Sequence, residues 1–555
     1  RYELEMMDRV WSVNALYHNG AMSKYGTVTA ISESPVTEGV IYTGSDDGLI
    51  QVTEDGGANW RMAGDLPAVP DRAFINDVEA SQHDPNVVFA AADAHKTGLF
   101  TPFLFRSSDR GRSWESIVGD LPAQTIVWVI QQDHVNPDLL FIGTEYGLYF
   151  SVNGGTNWTK LGGAPTIAFR DIEIHRRDND IVGATFGRGF YVLDDYTPLR
   201  AVGSGAMASG SGVAPVRDAW WYVPYAPMQA PGEPTLGSTG YNAPNPAFGA
   251  TFTYYLDDEQ QAARAVRRDL ERSLRDTDAD VPFPGWDALR AEAVESGPKA
   301  LLMIRDTQNR PVRWIEGPTK AGFHRVSWDL RRPAPNPIDL FVPDFIPPWA
   351  GEPQGPLAPP GRYSVELVLV SASGVEALGS PQSFEVRPVP TAPAGTDFVV
   401  VAAFQQDTRE LMRLIASAGE ELARSRNRLR HMRAALIQTP EAGPALFGQL
   451  DDLNATLVSL QTRLNGDQVR GSLNESNAPS IRGRVGRVVG GHWDTRQTPT
   501  ATHRRNLEIA RTDLADFRTD LSVVLETTLP QLEVALEAAG APWTPGRRLP
   551  GGGGE

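Results

Sequence analysis

Thr53-Glu-Asp-Gly-Gly-Ala-Asn-Trp60 is the first of three related stretches, and the others are Ser107-Ser-Asp-Arg-Gly-Arg-Ser-Trp114 and Ser151-Val-Asn-Gly-Gly-Thr-Asn-Trp158. All three follow the pattern Ser/Thr-x-Asp/Asn-x-Gly-x-Ser/Asn-Trp, which we call the turn motif. The Asp/Asn positions of successive copies lie 54 and 44 residues apart. A period of this length indicates that the first part of the chain is built from a repeated structural unit.

Each repeat contains about four short segments typical of β-strands. In the second repeat, strand A is predicted at 74–81, strand B at 87–93 and strand C at 103–107, and strand D begins at Trp114. Units of four short strands at this spacing are typical of β-propeller blades. The sequence therefore predicts around four blades between residues 26 and 195, of which the last lacks the turn motif.

The residues of the turn motif have a structural explanation. Asp and Asn side chains accept hydrogen bonds from nearby backbone N–H groups, Gly permits a positive φ, and Trp buries apolar area beneath the turn. We therefore assign the Asp/Asn and Trp positions to folding and not to catalysis. These positions are Asp55, Trp60, Asp109, Trp114, Asn153 and Trp158.

The chain is predicted to be multidomain. A partial all-β propeller is followed by an antiparallel immunoglobulin-like β-sandwich, and apolar residues at 3/4 spacing then predict an antiparallel three-helix bundle. An Arg-rich loop at 481–497 is predicted to join the last two helices. The predicted ranges are 1–200 for the propeller blades, 201–245 for a Pro/Gly-rich linker, 246–395 for the sandwich with a helical insertion at 257–296, 396–545 for the bundle and 546–555 for a flexible tail.

Composition excludes several classes of partner and site. The net charge of -17 argues against nucleic acid and anionic membranes. The longest apolar run, around 398–404, is far shorter than the roughly 20 residues of a membrane span, so no membrane insertion is predicted. The 555 residues contain no cysteine, which excludes disulfides and thiolate metal sites. Because the chain begins with Arg1, we expect a signal peptide upstream and an extracytoplasmic location, either periplasmic or secreted.

Candidate functional residues follow from the order of turns in a blade. The A–B turns and the turn motifs are predicted to share one face of the propeller, and the B–C and D–A loops the other, which is the default ligand face. A pair of carboxylates there would suit a glycoside hydrolase, whereas the alternative is that they are solvated turn residues. The candidate catalytic residues are Glu145, Asp47 and Asp46, and the candidate ligand-binding residues are Arg188, Tyr146, Trp128, Arg170 and His95.

Three histidines recur once per blade near the end of strand A: His83, His134 and His175. A residue in step with a structural repeat is better explained by structure than by metal binding. Their spacing also gives no short His-x-x-x-His ligand pair. We therefore predict no metal and no cofactor.

Beyond the turn motif, the chain resembles a known family. The turn motif matches the Asp-box, or bacterial neuraminidase repeat, and the last blade reads Thr185-Phe-Gly-Arg-Gly-Phe-Tyr-Val-Leu-Asp-Asp195. Together with 322–331 and Pro360-Gly-Arg-Tyr363, these residues resemble large exported bacterial proteins with sortilin-type Asp-box propellers, often labelled glycosyl hydrolases. The resemblance implies an immunoglobulin-like domain, a helical C-terminal region and a longer chain upstream. Sialidases share the Asp-box, but their arginine triad and tyrosine nucleophile have no counterpart here.

Three hypotheses about function remain open. The first is an exported propeller protein that binds a glycan or a polypeptide, with the sandwich and the helical bundle as docking modules for a partner. The second is a glycoside hydrolase that uses carboxylates on the ligand face. The third is a structural subunit of an extracellular assembly. Two carboxylates within about 5–10 Å of each other in a cleft would favour the second hypothesis.

Overall fold

The structure is a computed structural model that describes residues 4–6, 8–11, 26–203, 210–224, 243, 245–341, 343–347, 350–391 and 395–547. Two short strands, β1 (Leu4–Met6) and β2 (Arg9–Trp11), pair near the start of the chain. The predicted flexible tail at 546–555 falls mostly outside these residues. Arg547, which lies within them, is buried and donates hydrogen bonds to the carbonyls of Ala541 and Pro542.

Four antiparallel sheets follow one another along the chain, three with four strands and the last with three. Consecutive sheets pack against each other through their innermost strands, which confirms the predicted propeller-like β region. The strands are β3 (Val28–Glu33), β4 (Ile41–Ser45), β5 (Ile50–Thr53) and β6 (Arg61–Met62); β7 (Phe74–Ala80), β8 (Val88–Ala94), β9 (Leu99–Ser107) and β10 (Glu115–Ser116); β11 (Val127–Gln132), β12 (Leu140–Thr144), β13 (Gly147–Ser151) and β14 (Thr159–Lys160); and β15 (Phe169–His175), β16 (Asp180–Thr185) and β17 (Phe190–Leu193).

Small residues allow neighbouring sheets to approach closely. A Cβ added at Gly44 of β4 would lie 2.4 Å from Ile75 Cγ2 in the next sheet. A Cβ added at Gly143 of β12 would lie 2.6 Å from the carbonyl oxygen of Phe169, again in the next sheet. Both distances are far below van der Waals contact, so any larger residue would push the sheets apart.

Each innermost strand carries a β-bulge near its start. Pairing with the second strand of the sheet skips one residue, which is left unpaired and re-aimed out of the ladder. Two bulged residues bond to the next sheet: Thr29 Oγ1 donates to the Ile75 carbonyl and Asn76 Nδ2 to the Val127 carbonyl, both at 2.8 Å. The bulged residues of the four sheets are Thr29, Asn76, Trp128 and Arg170.

The turn motif forms the same hydrogen bonds in all three copies. In the second copy, Ser107 Oγ accepts from the N–H of Gly111 and donates to Asp109 Oδ1, both at 2.8 Å. Asp109 in turn accepts from the N–H of Ser113 at 2.8 Å and from its hydroxyl at 2.6 Å. In the third copy Asn153 replaces the Asp and accepts the same two hydrogen bonds through Oδ1, while its Nδ2 donates to Asn157 Oδ1. The motif therefore closes its own turn with local hydrogen bonds.

The tryptophans of the turn motif are not equivalent. Trp114 and Trp158 are buried, whereas Trp60 is 44% exposed. Each buried copy packs on the preceding sheet: Trp158 Nε1 donates to the Ile117 carbonyl at 3.0 Å, and the N–H of Gly64 donates to the Gly111 carbonyl at 2.7 Å. Trp60 belongs to the first of the four sheets, so the described residues place no preceding sheet beneath it.

Short elements lie between the propeller-like region and the second β region. Helix α1 is Pro198–Gly203, and the strands β18 (Gly212–Val213) and β19 (Ala219–Trp221) follow. Both strands lie in the range predicted as linker, yet both join the sheets that follow, because Val213 and Trp221 are buried in their core. Most of 225–244 lies outside the described residues.

The second β region consists of two sheets around one hydrophobic core. One sheet has the order β18-β20-β23 and the other β19-β25-β24-β21-β22. Alternate residues of β24 are buried, namely Tyr363, Val365 and Leu367, and Trp328 packs edge-on against Tyr363. An immunoglobulin-like topology stays a prediction. The remaining elements of this region are β20 (Ala250–Leu256), α2 (Ala263–Asp276), α3 (Trp286–Val294), β21 (Lys299–Asp306), β22 (Pro311–Gly317), β23 (Gly322–Trp328), β24 (Gly361–Ser371) and β25 (Gly374–Pro388).

The C-terminal region is helical, as predicted, but it holds more than three helices. The segment predicted as an Arg-rich loop contains helix α7, which begins after the capping residue Ser480 and buries Ile481, Val485 and Val488 in the bundle core. Its four glycines hid the helical pattern. The helices are α4 (Phe398–Ile437), α5 (Ala445–Asn465), α6 (Gln468–Ser472), α7 (Ile481–His492), α8 (Ala501–Val523) and α9 (Leu529–Ala538), with a π-helical turn at Val524–Thr528.

Side-chain contacts connect the three regions. Arg325 of β23 donates to the carbonyls of Asp194 and Asp195 at 2.7 and 2.8 Å, joining the second β region to the end of the fourth sheet. Trp221 packs edge-on against Phe398 at the start of α4. Across the described residues, none of the helices combines the length and the apolar character that crossing a membrane requires. The exact domain boundaries stay predictions.

The turn motif predicts a matched pair of substitutions. Asp109→Ala removes the hydrogen bonds to Ser107 and Ser113, and we expect it to lower the free energy of unfolding by about 1 kcal/mol. Asp109→Asn should lower it much less, because Asn153 makes the equivalent contacts in the third copy. Urea unfolding of both variants measures the difference, and equal losses would contradict this account of the motif.

Candidate functional site

The candidate site is built around Trp128, which is buried. The guanidinium carbon of Arg170 lies 3.4 Å from the centroid of its ring, a close cation–π contact. Its Nε1 donates a hydrogen bond to Glu145 Oε2 at 3.0 Å, and the ring of His95 contacts it edge-on with centroids 5.7 Å apart. Four of the predicted site residues therefore meet in one cluster, which we call the Trp128 cluster.

Three consecutive sheets contribute to the Trp128 cluster. Trp128 and Arg170 are the bulged residues of β11 and β15, so the extra residue in each strand places its side chain outside the regular ladder. Glu145 directly follows β12, and its N–H donates to the Ile126 carbonyl. His95 begins a short 3₁₀ turn after β8. The cluster thus depends on how the second, third and fourth sheets pack together.

Arg170 has the chemistry of a binding residue. Its side chain is exposed, and its guanidinium lies between the rings of Trp128 and Phe186, with 5.4 Å to the second centroid. Among the residues that the structure describes, Arg170 makes no ion pair and donates no side-chain hydrogen bond. Stacked aromatic rings hold the guanidinium plane while its N–H donors remain available for a carboxylate or another acceptor.

His95 is oriented by a buried carboxylate. Asp93 is almost fully buried and accepts hydrogen bonds from the backbone N–H of His95, at 3.0 Å, and from its Nδ1. This contact fixes the ring against Trp128 and leaves Nε2 as the nitrogen that does not face Asp93. Because Asp93 is committed to His95, it offers no carboxylate to a ligand.

Asp46 and Asp47 do not join the cluster. They lie in the first sheet, and the second sheet stands between them and Glu145. Asp46 Oδ1 accepts from the N–H groups of Gly26 and Thr27, at 2.6 and 2.9 Å. Asp47 is buried and accepts from Ser45 Oγ at 2.5 Å, so the interpretation of Asp47 as a solvated turn residue is wrong: its hairpin turns the carboxylate inward.

Glu145 occupies a position that recurs in all four sheets. It lies at the end of the second strand and faces the residue at, or just before, the start of the innermost strand. The occupants are Asp46, Asp93, Glu145 and Phe186. In the first three sheets this carboxylate accepts local hydrogen bonds from its own blade. The recurrence was visible in the sequence but was missed, and it indicates that the acid at this position first of all holds its blade together.

The other two predicted ligand residues lie at loop tips. Tyr146 follows Glu145 and is 52% exposed. Arg188 is exposed in the turn between β16 and β17. Phe186, which was not predicted, is 70% exposed and contributes the second ring beside Arg170. Phe186 is the one apolar residue at a position that is acidic in the other three sheets, and this difference could have revealed it from the sequence.

The repeated histidines make structural contacts or are exposed. His83 Nε2 lies 2.7 Å from the Asp133 carbonyl in the next sheet. His175, Asp178 and Asp180 bring three potential metal ligands within 4.8 Å of one another. Asp178 and Asp180, however, already bind arginines, Arg177 at 2.7 Å and Arg217 at 3.1 Å. The absence of a metal stays a prediction.

A row of acids lies on the innermost strands. Desolvation raises the pKa of Asp77 to about 6, and the charges of Asp171 and Glu173 also raise it. A hydrogen bond from the N–H of Ile130 opposes this shift. Desolvation likewise raises the pKa of Glu79 to about 8, with Asp77 adding to the shift. These acids lie on the strands that also carry the bulges.

No protein-family profile matches the chain, and no curated protein matches it. Among solved structures, the GH74 xyloglucanase from Xanthomonas campestris is 14% identical, with 32% of this chain and 30% of that chain covered and a TM-score of 0.25. YCF48 from Cyanidioschyzon merolae is 16% identical, with 31% and 54% covered and a TM-score of 0.24. A second structure, of YCF48 bound to D1 peptide, is 16% identical, with 31% of this chain and 52% of that chain covered and a TM-score of 0.25. The chain spans about a third to a half of the length of these proteins.

The acidic row predicts a pH-dependent effect of Glu79→Gln. The folded pKa of Glu79, about 8, lies above its unfolded value of 4.5, so ionising Glu79 costs stability progressively as the pH rises between these values. We expect Glu79→Gln to raise the free energy of unfolding at pH 9 and to leave it nearly unchanged at pH 4. The exposed Glu33, at the end of β3, is the control as Glu33→Gln. Equal effects of Glu79→Gln at both pH values would contradict the prediction.

Proposed function

We propose that the protein is an exported Asp-box propeller protein of sortilin type that binds a polypeptide ligand at the Trp128 cluster. The observation that carries the proposal is Arg170, exposed and stacked on Trp128, with its N–H donors uncommitted among the described residues. An oriented guanidinium that is unpaired among the described residues is suited to a carboxylate or a backbone carbonyl of the ligand.

Two features favour a polypeptide over a glycan. Trp128 is only 7% exposed and one face of its ring is covered by Arg170, so it offers no platform for a sugar ring. The exposed groups near it, Arg170 and Phe186, combine a cation with an aromatic ring, and the exposed Tyr146 follows Glu145 in the chain. Such mixed polar and aromatic surfaces are typical of protein recognition sites. A glycan ligand remains the second candidate, and a binding screen against both classes of ligand separates the two.

A glycoside hydrolase is less well supported. That chemistry needs two carboxylates roughly 5–10 Å apart and both directed at the substrate. Glu145 accepts a hydrogen bond from Trp128, Asp93 is buried against His95, and Asp46 and Asp47 lie two sheets away from Glu145. Each carboxylate proposed for catalysis is thus engaged in holding its own blade.

The C-terminal regions are proposed as docking modules for a partner. The second β region is tied to the fourth sheet by Arg325, and the helical bundle is tied to the second β region by Arg331, which forms an ion pair with Asp494 at 3.3 Å. These contacts give the chain a continuous framework on which a partner of the bundle would be held near the propeller-like region. An extracytoplasmic location is part of the same proposal.

The proposed function predicts a selective loss of binding in Arg170→Gln. The full chain is screened against a displayed random-peptide library and a polysaccharide array, and hits are measured by calorimetry. Arg170→Gln should weaken peptide binding at least tenfold. Arg177→Gln is the matched control, since Arg177 is an exposed arginine in the A–B turn of the same sheet and should change binding less than twofold.

The possible outcomes separate the hypotheses. Peptide binding that Arg170→Gln leaves intact, or a screen with no peptide ligand, overturns the proposal. Glycan binding without peptide binding replaces the polypeptide by a glycan. Release of sugar products that is lost in Glu145→Gln establishes the hydrolase instead.

A further inference from the structure

An open groove of about 600 Å³ lies between helices α7 and α8 of the bundle, far along the chain from the propeller-like region. A volume of this size matches a site for a small molecule. The groove is distinct from the Trp128 cluster, so a ligand bound in it would be independent of the peptide binding proposed for that cluster. Its principal lining residues are Arg487, Gly490, Gly491, Thr502, His503 and Asn506.

Glycine forms one wall of the groove. Helix α7 has four glycines in twelve residues, and each costs about 1 kcal/mol of helix stability relative to alanine. A Cβ added at Gly490 would meet nothing within 4 Å, so the described residues give no packing reason for glycine there. At Gly491 a Cβ would approach His503 Nε2 to 3.1 Å. Because the glycines have no side chains, they leave the backbone of α7 exposed to the groove.

The surroundings of the groove are strongly basic. Residues 481–505 contain six arginines and one acidic residue, in a chain of net charge -17. Among the described residues, Arg487 makes no ion pair and donates no hydrogen bond. A second side chain that lines the groove, His503, has a buried Nδ1 with no hydrogen-bond partner among the described residues. An unsatisfied group of this kind in a folded protein calls for an explanation, and a bound anion is one.

The start of α8 adds to this electrostatic field. Thr500 caps the helix by accepting the N–H of His503 at 3.2 Å, and Thr502 and His503 of the first turn line the groove. The partial positive charge at a helix N-terminus favours a bound anion. The N-terminus of α8 and the unpaired Arg487 together give the groove a positively charged end that can bind one anionic group.

We propose that the groove between α7 and α8 binds a small molecule through a phosphate or sulfate group. Arg487 supplies the charge, the Thr502 hydroxyl supplies a neutral hydrogen bond, and the Gly490 wall admits the rest of the molecule. Nucleic acid is disfavoured as the source of the phosphate, because the large negative charge of the chain would repel it.

Isothermal titration calorimetry of the full chain tests the proposal, with inorganic phosphate, sulfate and chloride at equal ionic strength. Phosphate or sulfate should bind and chloride should not. Arg487→Met should weaken binding of phosphate or sulfate at least tenfold, and Gly490→Leu should weaken binding of glucose 6-phosphate at least tenfold. Gly486→Leu is the matched control, because a Cβ at Gly486 also meets open space on the same helix but lies outside this groove.

Circular dichroism establishes whether each variant is folded. If Gly490→Leu is not folded, Arg487→Met decides the test. Glucose 6-phosphate identifies the source of the anion: tighter binding than inorganic phosphate supports a phosphate ester, and equal binding supports the free anion. Binding that is equal for chloride, absent altogether, or unchanged in both groove variants overturns the proposal.

Discussion

The close approach of consecutive sheets is the constraint on which the propeller-like region depends. Gly44 and Gly143 are required because a Cβ at either position would collide with the next sheet. At this spacing a bulged residue on one innermost strand reaches the neighbouring strand, as Thr29 and Asn76 do through hydrogen bonds to its carbonyls. The same geometry places Trp128 beneath Arg170. The candidate site is therefore a consequence of how the sheets pack, and not of a separate loop.

The sequence predicted the features that depend on local interactions. The turn motif closes itself through side chains that accept backbone N–H groups four residues further on, so its structure follows from eight residues alone. The position of Trp60 could not be predicted in this way, because burial of that ring depends on a preceding sheet. Helix α7 was missed because its glycines argue against a helix locally, whereas the buried Ile481, Val485 and Val488 stabilise it through the bundle.

For the candidate site, the sequence identified most of the residues but not their roles. Trp128, Arg170, Glu145 and His95 were selected separately and lie together in the structure. Their grouping depends on β-bulges in two different strands, and no local sequence pattern predicts these bulges. The carboxylates stood out as catalytic candidates, yet Asp46 and Glu145 accept hydrogen bonds from their own blades at the recurring acidic position, and Asp47 accepts one from Ser45. Arg170 is the cluster residue that this internal bonding leaves available, which is why binding is favoured over hydrolysis.

The central claim is that packing between the third and fourth sheets couples Trp128 to Arg170. A double-mutant cycle on the free energy of unfolding, with Trp128→Leu, Arg170→Met and the double variant, measures that coupling directly. The account predicts a favourable interaction of about 0.5–2 kcal/mol, the range of cation–π pairs. Additive effects, with a coupling energy indistinguishable from zero, would contradict it.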